Sequence, residues 1–385
     1  MAVSKRVGTD GKTTHWQVTI DTPDAVSGRR KRTVVGTFRG KKEADAAERR
    51  AIIERDRGTL LKPDKTTVAE LLDKWLEVEV PRTVRPENIE NYEITIRKHL
   101  KPALGAHPIQ KLTVEAVERF YAAMQAAGYS ASSVKKCHMR LAAALRMAKR
   151  WKLVGENVCD DVRPPKTSYR TADVWNPAEV ATFLDAAERD SLQPYWLLAA
   201  ETGARTSELL GLSWDDLELE RGTLTIGSRV VRLLKGTPMV KDDAKTVAGR
   251  RTIHLTAGTL DELRQHQTRW KRRKLEAREW INPRALMFCT ASGRPINPAH
   301  VRRSFNRLVA VAGNKAMTPH GLRKSHITHT IAAGANVKAV AARVGHRDVT
   351  TTLQIYTRLV PQMEEELMVI VRALNPPRPG VQTKG

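Results

Sequence analysis

Aromatic residues, cysteines and long apolar runs are all scarce in this sequence. Phe, Trp and Tyr make up 5% of the 385 residues, and three cysteines occur. Cys137, Cys159 and Cys289 are odd in number and lack the spacing of metal ligands, so we expect reduced thiols, a cytoplasmic location and no bound metal. Apolar runs such as 195–200 are far too short to span a bilayer. The N-terminus has no apolar stretch after its first charges, so we expect no secretory signal.

Negative charge is also in short supply. The chain has 42 Asp and Glu against 66 Lys and Arg, which gives a formal net charge of +24. An excess of this size predicts a polyanionic partner, most often nucleic acid, because protein cations displace the counterions condensed on phosphates. A membrane surface is the competing polyanion, but the sequence contains no basic amphipathic helix with a bulky apolar face.

The length allows two or three domains, and the residue pattern changes twice along the chain. Residues 1–65 contain two alternating strand patterns and an Ala-rich helix pattern, and they carry 16 Lys and Arg against 9 Asp and Glu. Residues 66–165 contain four helix patterns, and basic residues line the outer face of the fourth. The strand patterns are 15–21 and 31–38, and the helix patterns are 41–57, 68–80, 86–100, 114–127 and 130–151.

The remainder of the chain has a mixed pattern. An Arg-Pro-Pro-Lys run within 160–168 predicts a short, stiff linker, and residues 169–374 then combine helices with a few short strands around a polar stretch, 235–249. Residues 375–385 are rich in Pro and Gly and are expected to be disordered. The sequence therefore predicts a multidomain, mostly α protein with small β-sheets.

Arg205 lies at the predicted start of a helix, where Thr206 or Ser207 can act as the cap. A guanidinium group at this position can meet a phosphate beside the positive helix end. An exposed surface arginine, or one paired with Glu208, would fit the same segment.

Four further residues supply groups suited to attack on a phosphodiester. His320 and Arg323 follow the helix-start signal Thr318-Pro319 at a spacing that puts them on one face, while His346 and Tyr356 belong to the end of one helix pattern and to the next. A phenol of pKa about 10 needs a proton acceptor to react at neutral pH, and Arg and His can meet the charge of a phosphorane. Taken singly, the histidines could be structural and the tyrosine a half-buried core residue.

In this order and spacing, the segments TGARTSELLGL, HGLRKSHIT and VGHRDVTTTLQIYTR closely resemble the catalytic domain of the tyrosine recombinases, the phage integrase family. The resemblance covers roughly residues 169–374. The helical region 66–165 looks like the core-binding, SAM-like domain of that family, and residues 1–65 resemble the arm-type DNA-binding module of many integrases.

The resemblance implies roles for the residues. Arg205, His320, Arg323 and His346 match the catalytic positions of the family, and Tyr356 matches the nucleophile that forms a 3′-phosphotyrosyl link. Because the family works without ATP or metal, the lack of a Gly-rich Lys loop and of clustered carboxylates agrees with it.

The resemblance also implies a general-acid lysine on a β-hairpin. Lys245 matches best, because the strand pattern 251–255 follows it at the expected interval, while Lys235 and Lys241 compete. Two positions depart from the family: Gly321 stands where Asp is frequent, and Lys324 where His or Arg is common. These departures bear on the orientation of the site, since neither residue is a reacting group.

The implied partners are double-stranded DNA attachment sites, clamped between two domains, and a homotetramer on two duplexes, with an excisionase and a host DNA-bending protein as accessory factors. No cofactor is implied. An apolar stripe near the C-terminus either packs on its own domain or docks onto a neighbouring protomer; its members are Met363, Leu367, Ile370 and Leu374.

Three other functions compete with the integration and excision of a mobile element. A type IB topoisomerase shares the same chemistry but acts as a monomer, and the basic N-terminal module and the C-terminal stripe argue against it. A non-catalytic DNA-binding regulator would not need the full set of catalytic residues. A resolvase of chromosome dimers is usually shorter and lacks the N-terminal module.

Overall fold

The computed structural model describes residues 2–7, 14–23, 30–56, 61, 63–166, 174–242, 250–346 and 348–356. Over these ranges the protein is mostly helical with three small antiparallel sheets, which confirms the predicted fold class. The chain divides into two compact units, Met1–Ser168 and Tyr169–Gly385. No described helix is both long and apolar enough to cross a membrane.

The first unit begins with a three-stranded sheet and a helix. Val18 and Ile20 on the central strand are buried, together with Ala44 and Ala51 on the helix that covers them. The first strand was not predicted, whereas the other two strands and the helix were, and a turn that Ser27 and Gly28 would supply between the two predicted strands lies outside the described residues. The elements are β1 (Ala2–Val7), β2 (Thr14–Pro23), β3 (Arg30–Phe38) and α1 (Lys41–Asp56).

Six further α-helices complete the described part of this unit. Their starts follow local capping: Thr67 and Glu70 form a reciprocal capping box, and Thr113 and Ser130 accept hydrogen bonds from the first turns of the next two long helices. The helices are α2 (Val68–Val78), α3 (Val80–Thr83), α4 (Pro86–Thr95), α5 (Lys101–Leu104), α6 (Val114–Ala126) and α7 (Ala131–Arg150). The continuous helix predicted over 86–100 is interrupted, because Ile96–Leu100 forms a π-helical turn.

Arg140 corrects the prediction that basic residues of α7 lie only on its outer face. Its guanidinium group lies 4.5 Å from the centre of the Tyr92 ring and donates to the hydroxyl of Thr95. Lys135 and Lys136 do remain exposed on the same helix. Arg140 therefore joins α7 to α4 through cation–π contact and a hydrogen bond.

The second unit surrounds an aromatic core. Trp175, Phe183, Trp196 and Phe305 are fully buried and contact one another, with ring centres 5.1–5.6 Å apart. The helices are α8 (Pro177–Ala186), α9 (Gln193–Thr202), α10 (Thr206–Leu210), α11 (Ala257–Glu276), α12 (Pro298–Ala312), α13 (Pro319–Ala332), α14 (Val337–Val344) and α15 (Val349–Tyr356).

Five described strands accompany these helices. Strands β4 (Leu217–Glu218), β5 (Thr223–Ile226) and β8 (Arg251–His254) form one sheet, while β6 (Arg229–Leu234) and β7 (Thr237–Asp242) form a separate hairpin. The resemblance implies a hairpin, but the residue pattern did not locate β6 and β7, because residues from 235 onward were predicted to be a polar stretch. Val230 and Val231 of β6 are buried, so the hairpin packs against the rest of its unit.

Candidate active site

Arg205 is held at the start of α10 by a carboxylate. Its Nη1 donates to Glu208 Oε1 at 2.7 Å, and its backbone N–H donates to Glu208 Oε2 at 3.0 Å. The N-cap residue of α10 is therefore Arg205, with Glu208 at N3 accepting from its backbone N–H, and the prediction that Thr206 or Ser207 serves as the cap was wrong. The arginine side chain remains partly exposed, so its outward edge is available to a ligand.

Glu208 is shared between two arginines. Its Oε2, which accepts from the Arg205 backbone, also accepts from Arg251 Nη2 at 2.9 Å. The side chains of Glu208 and Arg251 are both 8% exposed. Burial alone would raise the pKa of Glu208, but the charges and hydrogen bonds of Arg251 and Arg205 hold that pKa below its usual value. The carboxylate is thus ionised at neutral pH and fixes both guanidinium groups.

The turn after α14 completes the support of these arginines. Arg205 Nη2 donates to the carbonyl oxygen of Gly345 at 3.2 Å, and Arg251 Nε donates to that of Arg343 at 2.5 Å. Gly345 has a left-handed backbone (φ 71°), and a Cβ atom there would lie 2.8 Å from Arg251 Nη1. A glycine is needed both for the turn and for the close approach of Arg251.

Arg323 lies deeper than Arg205. It is 2% exposed, and its Nη1 donates to the carbonyl oxygen of Gly203 at 2.7 Å. Its Nη2 is buried, and no described residue hydrogen-bonds to it. Burial and the charge of Arg205 lower the pKa of Arg323 to about 9, so the group is still a cation at neutral pH. A buried cation with an unsatisfied donor is costly unless an anion completes it.

His320 lies on the exposed side of the same cluster, one helical turn before Arg323 on α13. Partial desolvation and the charges of Arg323, Lys324 and Arg205 lower the pKa of His320 to about 4. The imidazole is therefore neutral at physiological pH and able to accept a proton.

The departure at Gly321 has a packing cause. A Cβ atom at this position would lie 2.2 Å from Met317 Sδ, so the side chain that the family often places here is excluded unless Met317 moves. Met317 in turn packs against the aromatic core. The glycine thus keeps the start of α13 in contact with the core without changing a reacting group.

His346 follows the Gly345 turn and is also neutral. Burial and the charges of Arg323, Arg205, His320 and Arg251 lower its pKa to about 4. Its Nδ1 lies 2.6 Å from Thr352 Oγ1, and its backbone N–H donates to the carbonyl oxygen of Ala341 at 2.9 Å. The mutual influence of these charges shows that Arg205, Arg323, His320 and His346 lie close together, in what we call the cleft.

The structure describes the remaining predicted residues only in part. Tyr356 is the last described residue of α15, a helix that packs against α13 and α14, but its side chain lies outside the description. Lys245 lies outside the described residues. Of its competitors, Lys235 forms the turn of the β6–β7 hairpin and Lys241 lies on β7 opposite Val230.

Sequence reasoning missed two residues of the site. The sequence pattern gives Arg251 only as the start of a strand, and it does not single out Thr352. The pairing of Arg205 with Glu208 was considered as an alternative to a phosphate-binding role, whereas the structure makes it the support of that arginine. The i, i+3 spacing could have signalled this pair; nothing local signals Arg251.

Comparison with known proteins identifies the class. The model of the phage integrase family matches residues 174–363, and that of the phage integrase N-terminal SAM-like domain matches residues 67–125. A tyrosine recombinase XerD of Bifidobacterium longum is 30% identical over 306 residues, which cover 74% of this chain and 91% of that protein. The chain therefore belongs to the phage integrase family, and it is a site-specific tyrosine recombinase.

Other relatives match more of the chain. An integrase of Streptomyces ambofaciens is 28% identical over 375 residues, covering 91% of each protein. Among solved structures, the integrase of transposon Tn1549 in complex with a circular intermediate DNA has a TM-score of 0.65 at 23% identity, covering 78% of this chain and 99% of that one. At this identity the structural match establishes the fold alone.

Proposed function

We propose that the protein integrates and excises a mobile element by cutting and rejoining DNA through a 3′-phosphotyrosyl intermediate. The phenolic oxygen of Tyr356 attacks the scissile phosphorus, and the bond to the 5′-oxygen breaks. The 5′-hydroxyl of a partner strand then attacks the phosphotyrosine and frees the tyrosine. The energy of the phosphodiester is kept in the intermediate, so neither ATP nor a metal ion is required.

The surrounding groups bind the developing negative charge and transfer the protons. Arg205 and Arg323 bind the non-bridging oxygens, where negative charge grows in the phosphorane. His320 takes the phenolic proton, and His346 donates a hydrogen bond to the phosphorane. Lys245 gives a proton to the departing 5′-oxygen, which would otherwise leave as a high-energy alkoxide.

One observation supports the proposal most strongly: within the part of the chain that the structure describes, the buried Nη2 of Arg323 has no partner, and a second arginine and two neutral histidines lie beside it. An anion that enters this cleft would satisfy the unpaired donor and offset the burial of the cation. A phosphodiester meets both needs. The formal charge of +24 favours its approach.

The decisive experiment uses duplex DNA nicked next to the crossover position of the element's flanking direct repeat, in buffer containing EDTA. Cleavage releases a short fragment, so the covalent protein–DNA adduct accumulates and is seen on a denaturing gel. We expect an adduct with the wild type and none with Tyr356→Phe. No adduct with the wild type, or one that persists in Tyr356→Phe, would refute the proposal.

The assembly follows from the stoichiometry of the reaction. Exchange between two duplexes breaks four strands, and each tyrosine forms one bond, so four protomers are needed. We infer that the basic sheet and helix at 1–65 bind separate arm sites, that the helical domain 66–165 and the catalytic domain 169–374 hold the core site, and that an excisionase and a host bending protein assist. The substrate places the enzyme in the bacterial cytoplasm, with the DNA.

An element integrase is favoured over a chromosome-dimer resolvase by the N-terminal region. The match to XerD leaves about a quarter of this chain uncovered, whereas the Streptomyces integrase spans nearly all of it. Deletion of residues 1–65 should abolish integration between attachment sites while leaving adduct formation on the core site. Full integration by the truncated protein would argue for a resolvase-like enzyme.

The C-terminal stripe can be tested in the same assay. A chain that ends at Val360 keeps Tyr356 but lacks all four apolar residues of the stripe. If this segment docks onto a neighbouring protomer, DNA binding should persist and recombination should be lost. Unchanged recombination by the shortened chain would exclude that role.

A further inference from the structure

Thr352 is the feature of the cleft that the proposed mechanism does not use. It is completely buried, and its hydroxyl lies 2.6 Å from His346 Nδ1. It belongs to α15, the helix that carries Tyr356 one turn further along. A single hydrogen bond therefore links the helix of the nucleophile to an imidazole in the cleft.

The direction of this hydrogen bond can be argued from its surroundings. A buried hydroxyl hydrogen needs an acceptor. Helical threonines often donate to the carbonyl four residues earlier, as Thr202 and Thr330 do here, each at 2.6 Å. Among the described residues, the acceptor found for Thr352 is instead His346 Nδ1. The imidazole is neutral beside several cations, so it carries one N–H and can offer one bare nitrogen.

We propose that Thr352 is a positioning residue, whose hydroxyl donates to His346 Nδ1 and keeps the ring hydrogen of His346 on Nε2. This tautomer makes the free edge of the ring a hydrogen-bond donor. A donor suits the growing negative charge of a phosphorane and leaves proton acceptance to His320. The two histidines, similar in charge state, are thereby given different tasks.

The arrangement also couples the tautomer to the position of α15. The hydrogen bond forms when this helix is seated against the turn at Gly345 and His346, and it is lost if the helix moves away. His346 would then be set as a donor in protomers whose nucleophile-bearing helix is in place. The catalytic part of this inference rests on the proposed function, whereas the hydrogen bond itself does not.

The hydrogen bond can be tested without DNA, by ¹⁵N-histidine NMR of the full chain, with His346→Ala used to assign the signals. We expect the wild type and Thr352→Ser to have hydrogen on Nε2 of His346, and Thr352→Val to populate the other tautomer. Thr351→Val, the same change at an exposed neighbour on α15, should leave the signals in place. Hydrogen on Nδ1 in the wild type, or an unchanged tautomer in Thr352→Val, would overturn the proposal.

The catalytic consequence is tested by a double-mutant cycle on the rate of adduct formation at saturating DNA. Thr352→Val should slow the reaction about tenfold or more, Thr352→Ser should restore most of the rate, and Thr352→Val should add nothing in a His346→Ala background. Equal slowing in both backgrounds would make Thr352 merely structural and overturn the inference. If the wild type forms no adduct, the proposed function fails, while the NMR result still decides the hydrogen bond.

Discussion

Arg323 and Gly203 define how the cleft is prepared for an anion. Nη1 of Arg323 donates to the carbonyl oxygen of Gly203 at 2.7 Å, while Nη2 of the same buried guanidinium group has no hydrogen-bond partner among the residues described. One donor is used to fix the side chain against the end of α9. The other is left for a ligand.

Because Nη2 of Arg323 is left for a ligand, we expect small tetrahedral anions to bind this guanidinium group and to stabilise the folded protein. Inorganic sulfate at ten times its dissociation constant should raise the free energy of unfolding by about 1.4 kcal/mol, because it binds only the folded state. Thermal unfolding with increasing sulfate would measure the effect. Arg323→Met should lose the response, whereas Arg302→Met, at an exposed arginine on α12, should keep it. A response of equal size in Arg323→Met would place the anion elsewhere.

Glu208→Gln should damage both stability and activity. The substitution keeps the shape of the side chain but removes the charge that compensates Arg251, and a buried ion without its partner costs roughly 3–5 kcal/mol. Arg205 would lose its support as well, so we expect adduct formation to slow at least about tenfold. Chemical denaturation and the adduct assay measure the two effects.

The matched control is Glu115→Gln, which breaks an ion pair with Arg119 that is exposed on both sides. Exposed pairs of this type contribute about 0.5 kcal/mol or less. A loss of stability in Glu208→Gln no greater than in this control would mean that Arg251 readily finds another partner.

A comparison of Gly345→Ala with Gly313→Ala separates the cost of backbone strain from the cost of a steric clash at the site. Gly345 and Gly313 both end helices with a left-handed backbone (φ 71° and 67°), but a Cβ atom at Gly313 meets nothing within 4 Å, whereas one at Gly345 meets Arg251. Gly313→Ala should cost the conformational strain alone, about 1 kcal/mol. Gly345→Ala should cost more and should also slow adduct formation, because it displaces Arg251 and the carbonyl that holds Arg205. Equal costs and full activity would contradict this account.

The lowered pKa values of the histidines predict how stability depends on pH. The pKa of His266, His326 and His346 is lowered to about 4 in the folded protein, whereas an unfolded histidine titrates near 6.5. Between these values the unfolded chain binds more protons, so stability is full above about pH 6.5 and declines as the pH falls toward 4. Denaturation midpoints measured from pH 7.5 to 4.5 should decrease in this window, and His326→Gln should flatten the decline.

Activity should also decrease as the pH is lowered, but for a different reason. Because His320 must be neutral to accept a proton and its pKa is about 4, the kcat/KM for adduct formation should stay level from pH 8 to about pH 5 and fall as the pH approaches 4. His326→Gln should leave this profile in place. A rate that rises on acidification through pH 6 would exclude His320 as the acceptor.

The general acid can be identified with a substrate whose 5′-bridging oxygen is replaced by sulfur. A thiolate leaves without protonation, since thiols have pKa values near 8.5. Lys245→Ala should slow cleavage of the oxygen substrate by roughly 10²–10⁴-fold and cleave the sulfur substrate at nearly the wild-type rate. Lys235→Ala and Lys241→Ala are the matched controls. If the sulfur substrate instead restored the cleavage rate of Lys241→Ala, the general acid would be Lys241 on β7.

The helices of this protein were largely predictable because their signals are local. The cap residues Thr113 and Ser130 and the apolar faces of α2 and α7 fix where those helices begin and which side is buried. The residue pattern did not locate the strands β6 and β7 of the implied hairpin, because β7 contains few apolar residues and is held by pairing with β6. The order of the motifs likewise needed no coordinates.

The sequence by itself determined the mostly α fold, the large positive charge and the identity of the four cleft residues Arg205, His320, Arg323 and His346. Tertiary structure alone decided that Glu208 joins Arg205 to Arg251, that no described residue pairs with Nη2 of Arg323, and that Thr352 faces His346. The physical reason is the range of the interactions. Caps and periodicity act within a few residues, whereas the partners of a buried charge come from whichever segments the packed core brings beside it.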